Sequence, residues 1–206
     1  MSWILFANLI TTILRADYLN FFVIQSFGNI LCAMVQAGIM SKKSSHIGLV
    51  NPKNPVNVGM IMRAAGCYEA DTVFYSGVRF ARAQKFAADT KDASRKIALV
   101  EVEHLLDDIP EGASLVAVEL IEGATPLMDF VHPDNAYYIF GPEDGSIKKE
   151  LLDHCQHVVY IPTIGCMNLA ATVHVVLYDR MAKSGRAVID ERPIAENRDV
   201  NNRIKI

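Results

Sequence analysis

The sequence contains no C-x-x-C pair; its four cysteines are Cys32, Cys67, Cys155 and Cys166. That spacing excludes a zinc ribbon and a small disulfide framework. Unpaired thiols suit a reducing compartment, so a cytoplasmic location is expected. The run His154-Cys155-Gln156-His157 is too compact to offer two opposed ligand pairs, and no metal is expected there. No G-x-G-x-x-G follows the first strand-like run, and no Walker loop occurs. A dinucleotide-binding Rossmann site and a P-loop are therefore both unsupported. Internal repeats are absent. A basic surplus is also missing, because the net charge is -3. Dedicated nucleic-acid binders usually carry one, so any such contact must come from a local stripe.

What is present is a chain of 206 residues, 51% of them hydrophobic and 21% charged. That is enough for one domain with a substantial core. Residues 1–39 differ from the rest, with Arg15 and Asp17 as their only charges. Phe21 to Met40 is uncharged and about long enough to span a bilayer. Gln25, Ser26, Asn29 and Gln36 make it a poor span. No basic n-region precedes the first apolar run, which argues against a secretory signal. The character changes at Met40-Ser41-Lys42-Lys43, which reads like the start of a cytosolic protein. The leader is thus expected to be an upstream extension from a start placed too early, with a membrane anchor or partner helix as the alternative.

From residue 40 to 183 strands and helices alternate. Strands are expected at His46 to Val50, Thr72 to Tyr75, Ile97 to Val102, Leu115 to Ile121, Tyr137 to Phe140 and Val158 to Ile161. Helices are expected at Val58 to Cys67, Ile147 to His154 and Asn168 to Ala182. The alternation predicts an α/β domain with a mostly parallel sheet and helices on both faces. Ligands of such sheets bind at the loops after the strands' C-terminal ends. Residues 184–206 are polar and mixed in charge, as in a flexible tail.

Three stretches carry chemistry. The first, Asn51 to Arg63, follows the first strand. Asn57 is placed to cap the helix, and Val58, Ile61, Met62 and Ala65 share its core face. Gly59, Arg63 and Gly66 share another face, so Arg63 stands clear of bulk and can meet a phosphate closely. The second, Tyr138 to Gly145, ends a strand in a tight Gly141-Pro142 turn, with Glu143 as a fixed carboxylate beside it. The third, Tyr160 to Val173, joins the last strand to a helix that is apolar almost all round. Such a helix must be buried on more than one side, which points to a dimer partner.

Taken together, N-x-G-x-x-x-R at Asn57 to Arg63, F-G-P-E at Phe140 to Glu143, and I-P followed by M-N-L at Met167 to Leu169 resemble the SpoU (TrmH-like) family of RNA 2′-O-methyltransferases, within the SPOUT superfamily. The resemblance covers roughly residues 46 to 182. The compact size is similar to the single-domain branch that methylates the tRNA wobble ribose. The resemblance implies a C-terminal deep trefoil knot, a homodimer and S-adenosylmethionine as cofactor. It assigns catalysis to Asn57 and Arg63. Cofactor loops would fall at Val118, Glu119 and Leu120, at Gly141, Pro142 and Glu143, and at Ile161, Pro162, Cys166, Met167, Asn168 and Leu169. The substrate would be RNA, tRNA ahead of rRNA. Members commonly carry serine where this chain has Cys166, and a thiol is the weaker donor. Two alternatives stay open: a non-catalytic member of the fold, and a methyltransferase acting on a base.

The implied reaction needs a ribose hydroxyl held in line with the methyl group and a route for its proton. Arginine holds its proton well above neutral pH, so Arg63 is better suited to orienting a phosphate and stabilising the forming oxyanion. The locally basic stripe Arg79, Arg82, Lys85, Lys91, Arg95 and Lys96 is the expected seat of RNA.

Overall fold

The computed structural model describes residues 43–84 and 97–184. The leader, the tail from 185 onward, and Lys85, Lys91, Arg95 and Lys96 lie outside the described residues. Chain order is β1 (Ser44–Val50), α1 (Pro55–Cys67), β2 (Thr72–Ser76), α2 (Arg79–Gln84), β3 (Ala98–Val102), β4 (Ser114–Val118), β5 (Thr125–Pro126), β6 (Asn135–Phe140), α3 (Lys149–Leu152), β7 (His157–Tyr160) and α4 (Leu169–Lys183). A 3-10 turn, Leu127–Asp129, follows β5. Among the described residues no helix is long and apolar enough to cross a membrane.

The strands form one sheet in the order β3-β2-β1-β6-β4-β7-β5, every pairing parallel. The expected α/β class and parallel sheet are observed. Strand β6 shows why both faces need cover. Its residues Ala136, Tyr138 and Phe140 join the core under α1 and α4, while Tyr137 and Ile139 join a second core with Leu115, Ala117, Leu105 and Ile147. Alternate side chains point to opposite faces of a strand, so an all-apolar strand must be buried twice.

Helix α1 lays Val58, Ile61, Met62, Ala64 and Ala65 on the sheet. These include the four residues expected to form its core face. From α4, Leu169, Ala170, Val173, Val176 and Leu177 do the same. Each fully buried Ile or Leu here contributes about 1.5–3 kcal/mol.

The helix start differs from expectation. It lies at Pro55, and Asn54 is the cap, its Oδ1 accepting from the Val56 N–H at 2.9 Å. Proline at the first helical position lacks the donor that would otherwise go unmet, and its fixed φ suits the helix. Asn57 is thereby moved into the first turn and buried at 6% exposure. The expected helix Ile147 to His154 shrinks to the single turn of α3, and the strand expected to reach Ile121 ends at Val118. Helix α2 and strand β5 were not expected.

Register positions the site. Leu49 lies opposite Phe140, Phe140 opposite Val118, and Val118 opposite Val159. One row therefore crosses four neighbouring strands at their last or next-to-last residue. The loops that follow all emerge at the same edge.

Candidate functional site

The three sequence motifs meet at that edge through their side chains. Asn168 caps α4, its Oδ1 accepting from the N–H groups of Ala170 and Ala171 at 2.9 and 3.3 Å. Its Nδ2 then donates to Asn57 Oδ1 at 3.0 Å. Asn57 Nδ2 in turn donates to Glu143 Oε1 at 3.1 Å. Glu143 also accepts from the backbone N–H groups of Lys53 at 2.8 Å and Asn54 at 3.1 Å. A continuous relay thus runs from the third motif through the first to the second. Burial alone would raise the Glu143 pKa, but hydrogen bonds from backbone N–H groups and the Asn57 amide outweigh it and hold the carboxyl below its usual range. Glu143 is an ionised acceptor, and what it accepts fixes the path of residues 53–57.

Beside the relay lies a cavity of about 210 Å³. Val118, Glu119 and Leu120, then Gly141, Pro142 and Glu143, then Ile161, Cys166, Met167 and Leu169 all line it, so three loops expected to hold a cofactor converge on one space. Pro162 and Asn168 lie outside that wall. Tyr160, Thr163, Gly165 and Thr172 belong to it without having been singled out. Thr172 was findable, because it is one turn beyond Leu169 on the helix that the third motif opens.

Glu119 braces the wall. Its Oε2 accepts from the Ile147 N–H at 2.8 Å and its Oε1 from the Leu120 N–H at 3.0 Å. A Cβ on residue 141 would stand 3.0 Å from Glu119 Oε2 and 3.3 Å from Ile147 Cγ1. A side chain there would have to displace Glu119 or Ile147 by a few tenths of an ångström.

A second cavity, about 610 Å³, adjoins the first across Glu143, Cys166, Met167 and Leu169. Lys53, Asn54, Asn57 and Asn168 line its other side. Lys53, paired with Asp144 at 3.5 Å, supplies a cation whose side chain is 63% exposed. Cys166 is exposed and touches both spaces.

Arg63 is elsewhere. It is exposed on the outer side of α1 and lines neither cavity. Val56 and Met60, at helical spacing from it, are 62% and 46% exposed. The two residues expected to act together are thus separated within one chain: Asn57 faces inward and Arg63 outward. Of the basic stripe, Arg82 is exposed, whereas Arg79 is committed to Asn51 and Asp144. The Cys155 thiol, pushed up to about 11 by burial, donates to Leu151 O and is structural. Among the described residues no group of three or more His, Cys, Asp or Glu could hold a metal.

No curated protein sequence matches the chain. Several solved structures share its fold. One concerns the 2-OH methylation of C/U34 on tRNA; it is 21% identical with a TM-score of 0.60, over 73% of this chain and 96% of that one. The TrmH/SpoU tRNA modifying enzyme of A. aeolicus is 18% identical with a TM-score of 0.59, over 75% of this chain and 85% of that one. An AdoMet-bound rRNA methyltransferase from Sinorhizobium meliloti is 19% identical with a TM-score of 0.55, over 69% of this chain and 57% of that one. Identities this low establish the fold. Residues 44–178 match the sequence model of the SpoU rRNA Methylase family, and the chain belongs to that family.

Proposed function

We propose that the protein transfers a methyl group from S-adenosylmethionine to a ribose 2′-hydroxyl of RNA, with tRNA as the preferred substrate and the cytoplasm as its place of action. The observation that carries this reading is the Asn168–Asn57–Glu143 relay, which sets a second cavity lined by Lys53, Asn57 and Asn168 against a glycine-edged first one. The structures of similar fold described as acting on tRNA and rRNA support it.

The residues present fit the cofactor. Val118, Phe140 and Leu169 offer apolar wall for a purine face, Gly141 leaves room for close approach, and Glu119 and Glu143 set carboxylates beside a ligand that is cationic at sulfur. When bound, S-adenosylmethionine supplies an electrophilic methyl group. The protein's part is to hold the hydroxyl in line, exclude water and stabilise the charge that develops on oxygen. Asn57, with both amide ends engaged, is a positioning residue. Lys53 at the rim of the second cavity is suited to an RNA phosphate.

Arg63 requires a second copy. Its helix presents an outward row of Val56, Met60, Arg63 and Cys67, and α4, packed alongside, leaves Tyr178 58% exposed. Unpaired apolar rows of this kind mark an interface. In a homodimer built on them, Arg63 serves the cavity of the partner subunit. The strand order also supports the knot. Strand β7 lies between β4 and β5, although β6 intervenes between β5 and β7 in the chain.

Incubation with labelled S-adenosylmethionine and unmodified tRNA or rRNA tests the reading. Label is expected to enter tRNA faster than rRNA; no label in either ends it. Gly141→Ala is expected to push Glu119 aside and weaken cofactor binding by about tenfold, roughly 1.4 kcal/mol, read by calorimetry. Unchanged affinity would show that this edge does not border the cofactor.

A further inference from the structure

The Arg79 guanidinium is not free. Its Nε and Nη2 donate to the Asn51 carbonyl oxygen at 3.0 and 2.7 Å, and its Nη1 donates to both Asp144 carboxylate oxygens at 2.7 and 2.9 Å. Its backbone N–H donates to Asn51 Oδ1 at 3.4 Å. Nη2 also stands 3.9 Å from Glu143 Oε2. An arginine fork suits such multiple acceptance, and charged pairs of this geometry are the strong ones.

The groups it joins belong to three different loops. Asn51 follows β1, Asp144 follows β6, and Arg79 opens α2 after β2. The junction is tightly built. Asn51 adopts φ 44°, and Gly77 adopts φ 83° with so little space that a Cβ there would stand 2.5 Å from Asn51 Oδ1. Asparagine tolerates this left-handed region better than most residues, and glycine tolerates it freely. Two residues beyond Asn51 begin the N–H groups that Glu143 accepts, and Glu143 is next to Asp144. The Asp144 carboxyl is held below its usual range, chiefly by the hydrogen bond from Arg79.

We propose that Arg79 is a positioning residue rather than an RNA-binding cation: through Asn51 and Asp144 it locks the loop of residues 51–54 onto the loop of residues 143–144, and so presets the Glu143–Asn57 end of the relay for methyl transfer. The kinetic part of this proposal rests on the methyltransferase reading; the lock itself does not.

Two variants separate the roles, because the partners carry opposite charge. In the full-length protein, Asp144→Asn and Arg79→Ala are each expected to lower kcat about tenfold. The RNA dissociation constant and its salt dependence should stay unchanged in Arg79→Ala, and Arg79→Lys should restore part of the loss. The double variant should be no worse than the worse single one, as for residues acting as a unit. If Arg79 instead meets a phosphate, Arg79→Ala alone weakens RNA binding and lowers the salt slope by about one, while Asp144→Asn leaves binding unchanged or tighter. That pattern overturns the proposal, as does unchanged kcat in both variants. Hydrogen exchange at the Lys53 and Asn54 amides provides a readout independent of turnover. Exchange should quicken in Asp144→Asn, a half-exposed site whose replacement keeps shape; unchanged protection overturns the lock. Wild-type protein that methylates no RNA would defeat the activity reading, and exchange would still decide whether the lock exists.

Discussion

Arg63→Ala is expected to lower kcat/KM for RNA methylation by at least about 100-fold, near 2.7 kcal/mol of transition-state stabilisation. Cofactor affinity should be nearly unchanged, because the part argued for Arg63 is toward the RNA phosphate and the forming oxyanion. The fold should also be spared, since the side chain is exposed. A guanidinium stays protonated at any working pH, so its contribution is to charge and orientation. The homodimer makes a sharper demand. If Arg63 acts in the partner's cavity and Asn57 in its own, an Arg63→Ala protomer and an Asn57→Ala protomer complement one another. Equal mixing with subunit exchange makes half the dimers mixed, each with one intact site, so about a quarter of wild-type activity returns. Turnover that does not recover on mixing places both residues in one chain's site; full activity in Arg63→Ala alone defeats the assignment.

Asn57→Ala is expected to cost both stability and rate. Asn57 is buried and sits between Glu143 and the Asn168 amide. Truncation leaves a carboxylate oxygen and an amide donor without that partner, at roughly 1–3 kcal/mol. For a domain of this size that is a fall in Tm of about 2–10 °C. The rate should fall further than stability explains, because residues 53–57 and the start of α4 lose the link that sets them relative to each other. Asn57→Asp discriminates the cause. It keeps size but places a second carboxylate against Glu143, so it should be at least as damaging as alanine near neutral pH. Activity of Asn57→Asp above that of Asn57→Ala would show that packing, not the direction of the hydrogen bonds, is what Asn57 provides.

Much of this site is legible locally. Helical spacing puts Val58, Ile61, Met62 and Ala65 inside, and a strand ending in Gly141-Pro142 puts a fixed Glu143 at a sheet edge. Local reading falters where neighbours compete. Asn51, Asn54 and Asn57 all lie within seven residues, and Asn51 and Asn54 are each followed by proline, so the local sequence does not decide which one caps the helix. It falters again where the partner is distant in sequence. The bond between Asn168 and Asn57 spans 111 residues, and no periodicity reports it. Arg79 is the clearest case. In sequence it is one cation in a basic stripe; in three dimensions two loops consume its donors. The insertion of β7 between β4 and β5 is likewise a property of topology, which apolar runs do not encode.

The atom that receives the methyl group separates ribose methylation from base methylation. Unmodified tRNA should be treated with the purified protein and S-adenosylmethionine, digested to nucleosides and analysed by mass spectrometry, with Arg63→Ala as control. A single 2′-O-methylnucleoside, lost in the control, is the expected result. A methyl group on a base, or none above the control, would contradict it.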